Sequence, residues 1–585
     1  MKLNDILNNK PNIRQPKLLE YLNVFLEKIC SIDTKIDHIV KKCPLLIAFL
    51  AGLLSRFSFT ETQISTFLLF SFYIFFKILY NFYLDNRTKK GLLLGYIYGL
   101  GMFGNLFSWI LSIHEFGIGN RAFEVFLSIF GFTLSTSFLS LLMSLSAYFS
   151  LKLAYNKISL YLFFSILFTF FELTESYILD LAPFLILSYG TAGFKYFIQI
   201  GSIIGSSGLT FLFLLIISLL MFKKYFKYGI YLFLFCSIYG IYKIHLKRNY
   251  KIPKDKFDVT VVQTNFSEDD RHIYYEYCCD DFSEMAKSKD IVNPTRKKLL
   301  IGPETLIGFR NNQINYLVNK SLNIDGIRDL ISKKNNTLDL NEKKKYEEII
   351  KNRSNNVVVC TGYYERNGDI MYNSYHFFNY DYENNEYKRL AKYYKKYLIP
   401  LAERCPYLIL KFLDFASKYV NYFKKIRNDY KEWELTPGDG KNTIEIEGIS
   451  PFAMELCSDI IPSGVTLYDS CKPTWILSTM NFHVFHNSNK NTFLSRLCYL
   501  CGKFRSIEFC RPNVMCINFG YSCIIDCNGK PLKMLNPKTP GIIEFEMPLK
   551  YDVSLFSIWR YKLLYLLLII LFAFLFINKK KKYLD

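Results

Sequence analysis

Long hydrophobic runs are missing from the middle of this 585-residue chain. Between Tyr250 and about Val553, no apolar run reaches the ~17 residues that the shortest transmembrane helices need. This absence predicts one long water-exposed domain between hydrophobic segments. We also expect no separate cleavable signal peptide, since residues 1–42 are polar and basic and the first apolar run begins at Pro44.

A second pair of metal-binding residues is missing as well. Cys498 and Cys501 form a CxxC, but zinc needs four ligands and no second pair stands at a suitable spacing. We therefore expect no metal ion. Twelve of the fifteen cysteines lie in the predicted water-exposed domain, where disulfides are possible outside the cytoplasm. Their spacing does not give a connectivity.

Hydrophobic residues make up 51% of the chain and charged residues 21%. This mixture suits a membrane part joined to a water-exposed part, and the chain is too long for one ordinary domain. Eight apolar runs predict a polytopic helical bundle of about eight spans, seven before the middle domain and one after it. They are Leu45–Leu54, Ile64–Tyr83, Leu92–Ile113, Phe123–Phe149, Ile158–Leu173, Phe197–Phe222, Gly229–Ile244 and Leu563–Ile577.

Basic residues are concentrated in alternate loops between these runs. With the N-terminus inside, the outer loops carry only Arg56, Arg121 and Lys195. The inner loops and the tail carry many more: Arg87, Lys89, Lys90, Lys152, Lys157, Lys223, Lys224, Lys227 and Lys579–Lys582. This positive-inside pattern predicts that residues 250–553 lie outside the cytoplasm. It also accounts for much of the net charge of +21 without a nucleic-acid partner.

The chain therefore divides into a cytoplasmic N-terminal segment (1–43), a seven-span membrane domain (44–249), the middle domain (250–553) and a final span with a basic cytoplasmic tail (554–585). The middle domain alternates short β-rich runs with polar or helical stretches, which predicts a layered sheet-and-helix domain. Asn335–Asn355 is rich in Lys, Asn and Glu, and we expect a solvated insertion there. The β-rich runs are Phe257–Thr264, Lys298–Ile301, Val357–Thr361, Trp475–Thr479 and Val514–Asn518.

Three residues of the middle domain form a constellation suited to acyl transfer. Glu304 follows the apolar run LLIGP, and Cys457 follows SPFAMEL, so both are expected at strand ends. With Lys395 they supply a carboxylate to take the thiol proton, a thiolate to attack a carbonyl, and an ammonium to hold the oxyanion. Taken singly, each has a plainer interpretation: a surface carboxylate, a solvated lysine, and a small buried apolar cysteine.

The sequence around these residues resembles the nitrilase, or carbon–nitrogen hydrolase, superfamily, and the whole chain resembles bacterial apolipoprotein N-acyltransferases. The resembling stretches are Pro303-Glu304, Lys395 three residues before Leu398-Ile399-Pro400, and Leu456-Cys457-Ser458-Asp459. The resemblance implies a nitrilase-like αββα sandwich. It also implies that Glu304 is the general base, Lys395 the oxyanion stabiliser and Cys457 the nucleophile.

The same resemblance implies three supporting residues. Glu403 lies eight residues after Lys395 and would fix that lysine, a spacing that Lys396 does not have. Ser458 replaces the usual Tyr, and its backbone N–H would be a second oxyanion donor. Asp459 replaces the usual Glu, one carbon longer, and the resemblance implies a supporting role for it.

Further stretches resemble the family. In the middle domain they are Tyr372-Asn373-Ser374, Arg505 to Pro512 and Asn518 to Gly529, and in the membrane part Trp109 to Gly117, Glu172, Pro183 and Tyr189. Three further positions depart from the family pattern. Glu175 stands where the family has Arg, Phe184 where it has Trp, and Met480 lies in a stretch that replaces Ser-Asn-Asp-Ala-Trp.

From the resemblance we expect an N-acyltransferase of the bacterial inner membrane, with its catalytic domain on the periplasmic side. It would move a fatty acyl chain from a membrane phospholipid to the N-terminal amine of a diacylglyceryl-cysteine in an apolipoprotein, through a Cys457 thioester and without a cofactor. Two alternatives remain: a membrane-tethered amidase or nitrilase with water as acceptor, and a non-catalytic protein that binds lipid or a partner. Transport is disfavoured because the spans contain few ionisable residues.

Overall fold

Seven helices of the first half of the chain coincide with the apolar runs of the sequence. In the computed structural model they are α1 (Pro44–Leu54), α2 (Thr66–Leu84), α3 (Lys90–Leu106), α4 (Arg121–Leu153), α5 (Lys157–Leu179), α6 (Gly201–Leu220) and α7 (Phe226–Ile241). The structure describes residues 36–60, 63–112, 121–179, 186–246, 257–265, 282–284, 296–306, 311–333, 340–384, 386–400, 403–405, 407–419, 424–425, 427–428, 434–439, 442–462, 473–482, 492–537, 539–547 and 553–584.

The described residues of the middle domain form two six-stranded sheets. Their strands are β1 (Asp258–Gln263), β2 (Lys298–Ile301), β3 (Val357–Asn367), β4 (Ile370–Asp381), β5 (Glu386–Tyr394), β6 (Thr443–Ile446), β7 (Ile449–Leu456), β8 (Trp475–Asn481), β9 (Asn513–Asn518), β10 (Cys523–Ile525), β11 (Pro531–Met534) and β12 (Gly541–Glu546). The first sheet has the order β12-β1-β2-β3-β4-β5 and the second β11-β10-β9-β8-β7-β6. Strands β1–β3 are parallel, as are β7–β9, and the remaining pairs are antiparallel.

Within the described residues, the helices that accompany these sheets are α8 (Asn311–Leu322), α9 (Ile324–Lys333), α10 (Leu340–Asn356), α11 (Tyr407–Ala416) and α12 (Thr492–Phe509). One apolar cluster lies between the sheets and joins residues such as Val261 and Ile301 to Phe452 and Leu477. Helices α8–α10 cover the outer face of the first sheet, and α12 packs on the second. The layers are therefore helix, sheet, sheet, helix, which is the arrangement that the resemblance implied.

The solvated insertion predicted at Asn335–Asn355 is only partly what the structure shows. From Leu340 onward this stretch is helix α10, and about half of its described side chains are exposed. Ile350 is nonetheless buried against the first sheet, and the Arg353 guanidinium donates to the carbonyl of Leu322 at 2.9 Å. Since the high Lys and Glu content describes only the outer face, the inner apolar contacts were missed.

The chain ends in α13 (Leu555–Trp559) and α14 (Lys562–Leu584). Among the described residues, five helices are long and apolar enough to cross a membrane: α2, α4, α5, α6 with the turn before it, and α14. A sixth is possible if the bent pair Ile36–Lys42 and Pro44–Ser58 is one span. The structure thus supports a protein with several membrane-spanning helices, while the count of eight and the side of the middle domain stay predictions.

The edge of the middle domain that carries Cys457 lies against the membrane helices. Ile460, three residues after Cys457, belongs to the same apolar cluster as side chains of α2 and α3. The Tyr189 hydroxyl, from the segment between α5 and α6, donates to the carbonyl of Ile461 at 3.2 Å. The Gln199 amide donates to the carbonyl of Asn528 at 2.9 Å. The predicted site therefore opens next to the bundle.

Candidate active site

The three predicted catalytic residues meet at one edge of the sandwich. Glu304 follows β2, Lys395 follows β5, and Cys457 follows β7, so all three come directly or shortly after the carboxyl ends of strands. The Cys457 side chain is within hydrogen-bonding reach of both the Glu304 carboxylate and the Lys395 ammonium. The structure thus brings together residues that lie far apart in the sequence.

Cys457 sits on a sharp turn between a strand and a short helix. Strand β7 ends at Leu456, and a single turn of 3-10 helix runs from Cys457 to Ile460. The φ angle of Cys457 is +54°, a left-handed conformation that non-glycine residues seldom adopt and that stores local strain. This backbone lifts the thiol away from the strand, and the side chain stays partly accessible.

Glu304 is a buried carboxylate with a fixed orientation. The Asn373 amide donates to one of its oxygens at 2.7 Å, and the backbone N–H of Asn481 donates to the other at 2.9 Å. Burial raises the pKa of Glu304 above its usual value, although the nearby Lys395 ammonium opposes that shift. A carboxylate with a raised pKa is a stronger base, which suits proton abstraction from a thiol.

The Cys457 thiol needs such a base. Burial, together with the negative charge of Glu304, raises the pKa of Cys457 well above its usual value, and Lys395 only partly compensates. The resting group is therefore a thiol and not a preformed thiolate. Attack on a carbonyl then requires that the proton leaves as the sulfur–carbon bond forms.

Lys395 is a fully buried ammonium that Glu403 holds in place. Its Nζ lies 2.8 Å from Oε1 and 2.7 Å from Oε2 of Glu403. Burial alone would lower the pKa of Lys395, but the Cys457 sulfur when it is ionised and the carboxylates of Glu403 and Glu304 raise it well above its usual value. The side chain therefore stays charged beside the thiol.

Glu403 and Asn373 connect the parts of the site. Glu403 also accepts from the backbone N–H of Ile399 at 2.8 Å, and Asn373 donates to both Glu403 and Glu304. The sequence had singled out Tyr372-Asn373-Ser374 without assigning a role. Asn373 is thus a site residue that sequence reasoning missed, and the only signal for it was that motif.

Asp459 is short by one carbon but still makes a set of contacts. It accepts from the backbone N–H of Tyr397 at 2.7 Å and from the hydroxyl of Tyr393 at 2.8 Å. Burial raises its pKa to about 6, although these hydrogen bonds favour the ionised form. Asp459 therefore ties the Cys457 turn to the segment that carries Lys395, and Ser458 adds a hydroxyl bond to the carbonyl of Tyr397 at 2.5 Å.

The departures from the family pattern fall in different places. Met480 is buried in β8 and packs in the apolar cluster shared with the membrane helices. Its neighbour Asn481 donates through its side-chain amide to Thr305 at 2.9 Å and accepts from the Asn518 amide at 2.9 Å. Phe184 lies outside the described residues, and the side chain of Glu175 is likewise not described.

The described residues contain no group of three or more His, Cys, Asp or Glu side chains that could hold a metal ion. Cys498 and Cys501, the CxxC pair, are buried free thiols on α12. The charged groups of the site instead pair with one another. Its arrangement therefore supplies a base, a thiol and a fixed positive charge around one position.

Two comparisons with known proteins found similarities, one to a family model and one to a solved structure. Residues 51–219 match the family model described as the apolipoprotein N-acyltransferase N-terminal domain. Among solved structures, the chain is similar to a carbon–nitrogen hydrolase superfamily protein from Xanthomonas campestris whose crystal structure has an arsenic adduct in the active site. That likeness has 12% identity and a TM-score of 0.29, and it covers 52% of this chain and 94% of the other. No curated protein matches the chain.

The family match lies in the first part of the chain and supports an N-acyltransferase. The particular family that it resembles is apolipoprotein N-acyltransferase, whose N-terminal domain it carries at residues 51–219. The resemblance predicted from the sequence motifs is thereby confirmed.

Proposed function

We propose that the chain transfers a fatty acyl group from a membrane phospholipid to the α-amine of a diacylglyceryl-cysteine at the N-terminus of an apolipoprotein. The observation that carries this proposal is the Cys457 thiol between a buried carboxylate, Glu304, and a buried ammonium, Lys395. The match of residues 51–219 to the apolipoprotein N-acyltransferase N-terminal domain supports lipids as both substrates. Acyl chains can stay in hydrocarbon while their head groups reach the site.

In the first step, Glu304 takes the thiol proton as the Cys457 sulfur attacks the ester carbonyl of the phospholipid. Lys395 and the backbone N–H of Ser458 hold the oxyanion of the tetrahedral intermediate. When the intermediate collapses, the carbon–oxygen bond to glycerol breaks, and the leaving oxygen takes the proton back from Glu304. The products are a lysophospholipid and a thioester on Cys457.

In the second step, the lipoprotein amine attacks the thioester carbonyl. Glu304 takes a proton from the amine, the carbon–sulfur bond breaks, and the sulfur regains that proton. The products are an amide and the free thiol, so neither a cofactor nor a metal takes part in the balance. We further propose that the catalytic domain lies on the periplasmic side of the inner membrane, as the basic loops indicate.

The experiment is to follow a labelled acyl chain. Purified full-length protein in proteoliposomes receives a phospholipid labelled in its acyl chains, together with a synthetic diacylated lipopeptide. We expect the label in an amide on the lipopeptide, and we expect Cys457→Ala to abolish this transfer. Cys527→Ala is the matched control, because Cys527 is also a half-buried cysteine of the same domain.

Two outcomes would contradict the proposal. Hydrolysis of a soluble amide with no use of the phospholipid would indicate an amidase or nitrilase with water as acceptor. An acyl label that never leaves the phospholipid, in protein that still binds lipid, would indicate a non-catalytic protein. Equal activity of Cys457→Ala and the wild type would remove Cys457 from the mechanism.

A further inference from the structure

Tyr189 connects the membrane part of the chain to the turn that carries Cys457. Its hydroxyl donates to the carbonyl oxygen of Ile461 at 3.2 Å, and its ring packs on Phe504 with the centroids 5.0 Å apart. Ile461 ends the 3-10 turn that Cys457 begins, and its own N–H bonds to the Ser458 carbonyl at 3.2 Å. The phenol therefore holds the far end of the nucleophile turn.

A buried ion pair fixes the position of the Tyr189 phenol. An Arg505 guanidinium nitrogen donates to the Tyr189 oxygen at 2.9 Å, and another lies 2.8 Å from the Glu508 carboxylate. The same carboxylate accepts from the backbone N–H of Ser206 at 2.6 Å and from the Ser206 hydroxyl. Because Arg505, Glu508 and Tyr189 are all completely buried, water does not compete for these bonds.

A break in α6 makes this connection possible. Gly205 has φ +73° and ψ 177°, values outside the helical region, and the next residue is Ser206. The break leaves the N–H of Ser206 free to bond to a carboxylate of the middle domain. A Cβ atom at Gly205 would lie 2.3 Å from the Phe556 ring, so the position requires glycine for space as well as for φ.

The segment that carries Tyr189 is fixed to two membrane helices. The backbone N–H of Leu187 bonds to the Glu172 carboxylate of α5 at 2.8 Å. The N–H of Ser188 bonds to the Thr210 hydroxyl of α6 at 3.2 Å. Residues Leu187–Thr191 form one buried 3-10 turn. Tyr189 is thus a fixed point of the bundle.

Two sets of contacts then determine where the Cys457 sulfur lies. On the side of the middle domain, Asp459 bonds to Tyr393 and Tyr397, and on the membrane side Tyr189 bonds to Ile461. The strained φ of Cys457 needs such support, because a free turn would relax. Small displacements of a reacting atom cost much in rate, on the order of 100-fold for 1 Å.

We propose that Tyr189 is a positioning residue: its hydroxyl keeps the Cys457 turn in place, so that the sulfur stays between Glu304 and Lys395. The proposal rests on the proposed role of Cys457. It assigns to the membrane domain a task besides holding lipid, namely completing the geometry of the nucleophile.

The test compares Tyr189→Phe with Tyr161→Phe in full-length protein. Tyr161 is an equally buried tyrosine whose hydroxyl also donates to a backbone carbonyl, that of Phe76, at 3.2 Å, but it lies within the bundle. The first readout is the rate of thioester formation with phospholipid. The second is the rate of alkylation of Cys457 by iodoacetamide across neutral to alkaline pH, followed on the Cys457 peptide by mass spectrometry.

For Tyr189→Phe we expect kcat for thioester formation to fall about tenfold, with the KM for phospholipid unchanged, because one buried hydrogen bond is lost and a carbonyl is left unpaired. We also expect a changed pH profile for the alkylation of Cys457 and an unchanged one for Cys527. Tyr161→Phe should leave both profiles and the rate as in the wild type.

Wild-type behaviour of Tyr189→Phe in both assays would overturn the proposal, as would equal losses in the two variants. If the wild type forms no thioester while only Tyr189→Phe shifts the Cys457 profile, the proposed function fails and the positioning role stands. If Tyr189→Phe does not fold, Ser206→Ala takes its place. It removes one donor to Glu508, and we expect the rate to fall about threefold. An unchanged rate and profile in that variant would overturn the proposal.

Discussion

Replacing Lys395 by Met tests the electrostatics of the site most sharply, because a second lysine follows it directly. Lys395 has no exposed surface and contacts both Glu403 oxygens, whereas Lys396 is half-buried and its ammonium lies 5.4 Å from the centre of the Tyr397 ring. Loss of one oxyanion donor typically costs ~100- to 1000-fold in rate. We expect a loss of that size for Lys395→Met and less than about twofold for Lys396→Met.

Stability must be separated from chemistry in this experiment. Lys395→Met leaves the Glu403 carboxylate without its cation, and breaking a buried ion pair typically costs about 3–5 kcal/mol of unfolding free energy. The double variant Lys395→Met/Glu403→Gln removes both charges. We expect it to regain most of the melting temperature while staying inactive, since the oxyanion still lacks its ammonium.

The assay is thioester formation from labelled phospholipid, measured beside the thermal unfolding of each variant in the same detergent. Equal losses in Lys395→Met and Lys396→Met would show that the register of the lysine motif is wrong. Recovery of activity in the double variant would show that the charge of Lys395 serves folding alone.

Three other predictions concern the pH dependence of the reaction, the pH dependence of stability and the membrane topology. Because burial raises the pKa of Glu304, thioester formation should fall as the pH drops through that raised pKa, and Glu304→Gln should be slow at every pH. The pKa of Asp459 rises from 3.8 unfolded to about 6 folded, so its contribution to stability should be lost as pH rises through that window, and Asp459→Asn should flatten this loss in thermal unfolding. An impermeant thiol reagent on intact cells should label a cysteine introduced at Asp369, in the exposed β3–β4 turn, and not one at Lys579; the reverse result would overturn the predicted topology.

The sequence was most informative about candidate catalytic residues that follow the end of a strand. Glu304 after LLIGP and Cys457 after SPFAMEL were expected at an edge of a sheet, and β2 and β7 end where those apolar runs end. Local hydrophobic patterning determines such positions, because a buried strand of apolar residues ends where the apolar run ends. The spacing from Lys395 to Glu403 likewise corresponds to a direct ion pair.

Contacts between segments far apart in the chain could not be predicted from local sequence patterns. Strand β12 pairs with β1, so that Glu546 lies opposite Asp258, and neither stretch indicates the other. Asn373 lies within β4, and it reaches Glu304 only because β3 and β4 pair beside β2. Such partners depend on which strands become neighbours, which is a property of the whole fold and not of a local pattern.

The contacts on the membrane side of the site also could not be predicted from the sequence. Tyr189 was singled out by its spacing from Glu172, but its bond to Ile461 depends on how the bundle docks against the middle domain. The break at Gly205 has no sequence signal beyond one glycine among the others of α6. Both features became visible only when the two parts of the chain were seen together.

The central claim is a covalent one, and the most direct measurement is the mass of the Cys457 peptide after incubation with phospholipid alone. We expect one acyl group on that peptide, bound as a thioester that neutral hydroxylamine releases, and none on the Cys527 peptide. Cys457→Ser should show no thioester, and addition of a diacylated lipopeptide to the wild type should discharge the acyl group onto its amine. An intact hydroxylamine-sensitive thioester in the Cys457→Ala variant would contradict the account.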